Sequence, residues 1–294
     1  MIFGVKLLND LIKSPLNYIG GKYKILTQIL PLFPNDIRTF VDLFTGGANV
    51  GINVKAKKII LNDNLIYLID IYKYLFENTE NKILSYIDKT INNLDLSLVN
   101  TEGYNKLRNR YNKVKNPLDL LILSFFSFNH QIRFNSNHDF NTPFGKNKSR
   151  YNEIIRKNLI AFINSLQQKN ITFMKKDFDK VNLSKLTDKD FVYCDPPYLI
   201  TVGTYNDGKR GFNGWNLEQE RKLLDLLDRL NKNNIKFALS NVLKHKNKTN
   251  HLLKNWIKSN KYNVYKIKND FTNSNYHTND RNKNTTQEVL INNY

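Results

Sequence analysis

At both ends of the chain, short apolar runs alternate with stretches whose apolar residues recur every three or four positions. Phe40-Val41-Asp42-Leu43-Phe44 reads as a buried strand running into Thr45-Gly46-Gly47-Ala48. A second strand, residues 58–63, ends on the carboxylate of Asp63. A third, residues 191–194, is stopped by Asp195-Pro196-Pro197-Tyr198. Residues 235–241 give a fourth and residues 288–291 a last. Between the third and fourth, residues 218–230 place Leu223, Leu224, Leu227 and Leu230 on one helical face. Strands alternating with helices predict an α/β fold, a doubly wound parallel sheet with helices on both faces.

Residues 69–151 break that rhythm. They begin with helical spacing (Tyr72, Leu75, Phe76, then Ile83 and Ile87), continue through Tyr104 to Tyr111, and reach an apolar helix at 118–128. A polar, turn-rich piece at 129–150, which contains Asn141-Thr142-Pro143-Phe144-Gly145, is expected to form a β-hairpin or loop. The region reads as a mostly helical insertion, residues 69–151, between two parts of one α/β domain, residues 1–68 and 152–294. The stretch 244–284 is rich in Asn and Lys and is expected to give loops and a helix with a basic face.

Charge narrows the partners. Lys and Arg number 45 against 26 Asp and Glu, a formal net charge of +19. Between residues 101 and 160 there are 11 basic and 4 acidic residues, and between 244 and 268 eight lysines and no acid. A surplus of this size points to a polyanion, nucleic acid before membrane, against the plainer alternative of a generally basic surface. No apolar run approaches the ~20 residues of a membrane span, and no apolar leader is evident. The single cysteine excludes an internal disulfide framework and a Cys-rich zinc site, and an intracellular, reducing compartment is expected. Cys194, inside the third strand, reads as a small buried hydrophobe and not as a nucleophile.

Three motifs carry chemistry. In Asp195-Pro196-Pro197-Tyr198 the paired prolines force an extended turn at the carboxyl edge of the sheet, where open α/β folds bind ligands. The Asp195 carboxylate and Pro196 carbonyl can accept the two hydrogens of an exocyclic amine while the Tyr198 ring stacks on its base. A plain strand-ending turn is the alternative. In the second motif, residues 42–51, small residues follow the first strand and Asp63 stands where a carboxylate could hold ribose hydroxyls. No Gly-Lys-Ser/Thr signature is present, which argues against a nucleoside triphosphatase, while a nicotinamide dinucleotide stays compatible with this piece alone. The third, Tyr18-Ile19-Gly20-Gly21-Lys22, offers a stacking ring and an ammonium, or else simply a turn into the helix carrying Ile25, Leu26 and Ile29.

Together and in order, these motifs, with Arg133-Phe134-Asn135, residues 141–145, residues 191–205 and residues 235–243, resemble the Dam-type DNA adenine methyltransferases. These are the alpha group of the D12 class, and the T-even bacteriophage members are the most similar. The resemblance implies a Rossmann-like methyltransferase sheet with an inserted target-recognition domain. It implies S-adenosyl-L-methionine as methyl donor, no metal, and the N6 amine of adenine in double-stranded DNA as acceptor, within GATC. It assigns Tyr18, Lys22, Phe44, Gly46, Asp63 and Asp195 to the donor pocket and Asp195, Pro196 and Tyr198 to catalysis. Arg133, Asn135 and Pro143 fall to DNA recognition, with Arg133 reading a guanine through its planar fork.

The implied mechanism is base flipping followed by direct in-line transfer. Two departures stand out: Ala48 where many members have a further glycine, and Asn129-His130-Gln131-Ile132 in place of the Gly-Leu-containing segment of the housekeeping enzymes. The resemblance also implies a monomer or weak dimer in the cytoplasm of a bacterial or phage-infected cell, and leaves room for a cognate restriction endonuclease. The competing readings are an RNA or small-molecule N-methyltransferase and a non-enzymatic, sequence-specific DNA-binding protein.

Overall fold

The computed structural model describes residues 11–201, 214–268 and 286–294. Residues 202–205 of the segment resembling the methyltransferases, and the part of the 244–284 stretch beyond residue 268, lie outside them.

The apolar runs become the centre of one sheet. β1 (Thr39–Asp42) lies between β2 (Lys58–Asn62) and β4 (Phe191–Cys194), parallel to both, and β3 (Ile171–Met174) extends the sheet beyond β2. On the other side β4 pairs with β5 (Lys236–His245), which also carries a two-residue hairpin partner, β6 (Lys248–Thr249). β8 (Thr286–Asn292) sits between β5 and β7 (Asn263–Ile267) and runs against both. The order is β3-β2-β1-β4-β5-β8-β7, so the sheet is mixed and not wholly parallel as expected.

Successive side chains of a strand face opposite ways, and this sorts the core into two clusters. Phe40, Tyr193 and Leu290 join one apolar cluster, and Val41, Val192, Val289 and Ile291 join the other. The second cluster is covered by α8 (Leu217–Lys232), with Leu223, Leu224, Leu227 and Leu230 buried as expected, and by α9 (His251–Asn260). Asn216 starts α8 by accepting from the N–H groups of Glu218 and Gln219. The first cluster lies under the short α1 (Leu26–Ile29) and α2 (Asn49–Asn53), then α3 (Ile66–Glu77) and α7 (Glu153–Gln167). Cys194 is fully buried, and burial pushes its thiol well above the usual range.

The expected insertion is helical: α3, α4 (Glu80–Asn93), α5 (Thr101–Val114) and α6 (Pro117–Phe126). Its apolar residues belong to the same cluster as the sheet residues Phe40 and Tyr193. After α6 the chain turns through Asn129 and His130, both left-handed, and folds on itself through bridges Phe134–Phe140 and Ser127–Phe144. This doubled-back loop is tied down from the helices. Asn112 exchanges two bonds with the backbone of Phe140, and the Tyr104 hydroxyl donates to Thr142 O at 2.8 Å. At Gly145 any Cβ would sit 2.3 Å from Ser149 Oγ, so only glycine closes this turn.

The Asn- and Lys-rich stretch holds more order than loops and one helix. Besides α9 it forms β6 and β7.

Candidate active site

The carboxyl ends of β1, β2 and β4 bring the three motifs together. Asp42 closes β1, Asp63 follows β2, and Asp195 follows β4. All three border one cavity of about 350 Å³, with Tyr18, Lys22, Phe44, Gly46, Pro196 and Tyr198 also in its wall. That volume is within the usual range for a small-molecule site.

The Tyr18–Lys22 motif is held by its own turn. Gly21 N–H donates to Tyr18 O at 3.1 Å, and Gly20, at φ +79°, supplies the bend. Upstream, Asn49 and Asn53 of α2 bond the backbone of Ser14 and Ile12, lashing this segment to the helix that follows β1. The turn buries Lys22, whose ammonium lies 2.7 Å from Asp195 Oδ2 and 2.8 Å from Gly20 O. It also stands 5.1 Å from the centroid of the Tyr198 ring. The Lys22 ammonium thus neutralises the Asp195 carboxylate.

The second motif is a backbone cradle. Asp63 accepts from Gly46 N–H at 2.8 Å and from Leu65 N–H at 2.9 Å, one on each oxygen. Each oxygen keeps a further lone pair for a ligand hydroxyl. Gly46 has φ +46°, and a Cβ there would press on the Tyr18 ring at 3.0 Å. Ala48, the departure from the glycine-rich pattern, is left-handed at φ 57°. Left-handed backbone costs a residue with a Cβ about 1–2 kcal/mol, which explains why glycine suits this position.

Electrostatically the cavity is a buried acidic site in which Lys22 is the buried cation, with Arg133 and Lys176 also bordering it. Burial pushes the Asp42 carboxyl up to about 8; nearby Asp195 adds to this, and the Gly51 N–H opposes it. Asp63 and Asp195 are also raised by burial, Asp63 against its two backbone donors and Asp195 against Lys22. Such a site favours a cationic ligand.

Three wall residues that the sequence reading did not single out stand out, together with one acid behind Tyr198. In the wall, Asp177 and Phe178 follow β3 and Trp215 precedes α8; the acid is Glu288, in β8. Phe44, Phe178 and Trp215 form an aromatic corner, their ring centroids 5.3–5.6 Å apart. Trp215 is fixed by its indole N–H, which donates to buried Glu220 at 2.7 Å. Glu288, 3% exposed, accepts the Tyr198 hydroxyl at 3.1 Å. The tryptophan before a capped helix was a readable signal. A lone acid in a β-strand was not.

The three residues expected to recognise DNA divide. Arg133 borders the same cavity, and its guanidinium is held by Gln131 Oε1, with Nε at 2.9 Å. Its backbone N–H donates to Thr142 Oγ1, which sets it beside the exposed Pro143. Asn135 instead uses its side-chain oxygen inside the loop, accepting from the N–H groups of Asn137 and Asp139. The departing segment at residues 129–132 contains the two left-handed residues, the geometry that glycine serves elsewhere. Asn17 Nδ2 donates to Asn129 O at 3.0 Å, joining the turn before Lys22 to the loop after α6.

Residues 18–288 match the family described as D12 class N6 adenine-specific DNA methyltransferase. The chain is similar to the type II methyltransferase M.FokI of Planomicrobium okeanokoites, at 49% identity over 97% of this chain and 43% of that protein. It is similar to the modification methylase StsI of Streptococcus sanguinis, at 50% identity over 96% of this chain and 43% of that protein. The DNA adenine methylase of Escherichia coli K12 matches at 27% identity over 77% of this chain and 79% of that protein. The chain thus spans less than half the length of M.FokI and StsI. With the match running from the Tyr18 turn to Glu288 in β8, it belongs to the D12 class N6 adenine-specific DNA methyltransferases.

Proposed function

We propose that this chain transfers a methyl group from S-adenosyl-L-methionine to the N6 amine of adenine in double-stranded DNA. The observation that carries the reading is one cavity shared by the Lys22–Asp195–Tyr198 cluster, the Asp63 cradle and Arg133.

The donor's chemistry fits these residues. Asp42, Asp63 and Asp195 suit its two cationic groups and its ribose hydroxyls, and Lys22 suits its carboxylate. The corner of Phe44, Phe178 and Trp215 suits its purine. When bound, the donor supplies a methyl already activated on sulfur, so the protein's part is positioning and electrostatics.

The target amine lies inside a stacked duplex, so the adenine must leave the stack, at a cost of a few kcal/mol. Tyr198 offers a face for the extruded base. Asp195 and the Pro196 carbonyl then accept the two amine hydrogens, which turns the nitrogen lone pair toward the methyl. Asp195 also stands ready for the proton that the amine sheds.

Residues 69–151 form the recognition unit in this reading, and residues 1–68 with 152–294 the catalytic domain. Arg133 reads a guanine beside the target adenine, as in GATC, the site of the Dam-type resemblance. Basic groups of the recognition unit and of the Lys244–Lys248 hairpin hold phosphates, contacts that give affinity and register. Half identity to M.FokI and StsI favours a place among restriction-modification methylases over the T-even bacteriophage branch. A cognate endonuclease is then a natural second partner. The site is complete within one chain, in keeping with a monomer or weak dimer. No helix among the described residues is long and apolar enough to cross a membrane, and the bacterial relatives favour the cytoplasm.

The test is to incubate the purified protein with labelled donor and unmethylated genomic DNA, then map modified bases by sequencing. Methylated adenine at one recurring sequence containing guanine next to adenine is expected. Label on RNA alone, or none on any nucleic acid, overturns the reading, and a motif other than GATC overturns only the site.

A further inference from the structure

Tyr198 has one hydroxyl hydrogen and two carboxylates within reach of it. Its oxygen lies 3.0 Å from Asp195 Oδ1 and 3.1 Å from Glu288 Oε1. A phenol donates once, so only one of these contacts can be its donated bond at a time. The other oxygen of Asp195 is engaged by Lys22 at 2.7 Å. In this state both Asp195 oxygens already face internal donors. The proposed reaction, however, asks Asp195 to accept from the target amine.

Glu288 resolves the conflict by its position. It stands in β8, between β5 and β7, paired opposite Val242 and Ile267. The next three residues, Val289, Leu290 and Ile291, are fully buried. An acid at such a place is tolerated only with donors beside it. Here they include the Tyr198 hydroxyl and, at 3.9 Å, the Lys22 ammonium. The same two groups are the donors that engage Asp195. Rotation of the phenol hydrogen alone, with the ring unmoved, carries the bond from Asp195 to Glu288.

We propose that Glu288 is a positioning residue that receives the Tyr198 hydroxyl hydrogen when the target amine takes Asp195 Oδ1. It thereby frees the catalytic acceptor without leaving a buried phenol unbonded, and it keeps the Tyr198 ring in place beneath the base. The inference rests on the methyl-transfer reading and adds a residue to it.

Two measurements test it, and one of them does not depend on activity. The first is kinetic, with Glu288→Gln, Tyr198→Phe and the double variant, each checked for folding by thermal denaturation. Glu288→Gln is expected to lower kcat by about tenfold or more, with a smaller change in the calorimetric affinity for S-adenosylhomocysteine. In the Tyr198→Phe background the same change is expected to cost less than about twofold, because the hydroxyl it serves is gone. Equal losses in both backgrounds overturn the proposal. The second uses ¹³Cζ-tyrosine labelling, in which the resonance missing from Tyr198→Phe identifies Tyr198. That resonance is expected to shift in both Asp195→Asn and Glu288→Gln. A shift with Asp195→Asn alone shows an unshared hydroxyl and sinks the proposal, even if the wild-type protein methylates nothing. Failure of the wild-type protein to methylate counts against the methyl-transfer reading and leaves the spectroscopic outcome unaffected.

Discussion

Lys22 Nζ and Asp195 Oδ2 meet at 2.7 Å, which locks the turn before the sheet to the turn after β4. Their side chains are 6% and 17% exposed, so water screens the pair poorly. Removing one partner of a buried pair typically costs about 3–5 kcal/mol, unless the orphaned group changes its protonation. In Lys22→Met the orphan is a carboxyl that burial already pushes up, and loss of the ammonium favours its neutral form further. Lys22→Met is therefore expected to fold and to lose donor binding by calorimetry. Asp195→Asn is expected to fold, with methyl transfer reduced at least ~100-fold, the scale of a lost electrostatic stabiliser. Wild-type transfer by either variant removes the cluster from the mechanism.

Donor binding should release protons. Burial holds the Asp42 carboxyl at about 8 against an unfolded value of 3.8. Between those values the folded chain keeps a proton that the unfolded chain has lost, so this group's contribution to stability falls as pH rises through the window. Asp63 and Asp195 are raised as well and act with the same sign. A cationic donor placed among them reverses the preference by favouring the charged forms. Affinity for S-adenosyl-L-methionine is expected to increase from pH 6 to about 8. Calorimetry in buffers of different ionisation heat should register net proton release, and proton uptake would contradict this account.

The aromatic corner depends on one buried acid. Glu220 is fully buried and accepts from Trp215 Nε1, Asn241 Nδ2 and Asn250 Nδ2, and these bonds counter the burial that raises its carboxyl. Glu220→Ala leaves three buried donors without an acceptor, at roughly 1–3 kcal/mol each where water cannot reach them. A fall in thermal stability is expected, together with a change in Trp215 fluorescence, Trp256 being the other tryptophan in the chain. Trp215→Ala should weaken donor affinity while affecting kcat at saturating donor much less. A loss confined to kcat would move Trp215 away from the donor.

How legible all this was in the sequence depended on burial. β1 and β4 are apolar runs because both faces of a central strand are covered; the end of β4 pointed to Asp195, whereas the first strand, read as 40–44, ends at Asp42. β7 hides in the Asn- and Lys-rich stretch because it is an edge strand, most of whose residues meet solvent. β3 is a four-residue segment of mostly half-buried residues preceded by polar ones, too short to rise above its surroundings. Tyr18, Lys22 and Asp63 were found because glycines or a strand end announced them. Glu288 was missed because an acid in a strand ordinarily faces water, and only the fold shows Tyr198 and Lys22 beside it. Asn135 was expected to read bases, and the loop uses its carbonyl to shape its own tip.

That division predicts different phenotypes within the recognition loop. Arg133 presents a guanidinium steadied by Gln131, and an arginine fork reads guanine through two acceptors in the major groove. Arg133→Ala is expected to relax or abolish discrimination at one base pair, worth about 1–3 kcal/mol, while methylation of other sequences persists. Gln131→Ala leaves the fork present but less oriented, so it should weaken preference at the same base pair by a smaller factor. Asn135→Ala removes the acceptor for two backbone N–H groups of the loop tip, so it should lower activity on every sequence together. Competition between DNA duplexes differing at single positions separates these outcomes. A uniform loss with Arg133→Ala, accompanied by a shallower salt dependence, would reassign that side chain to a phosphate.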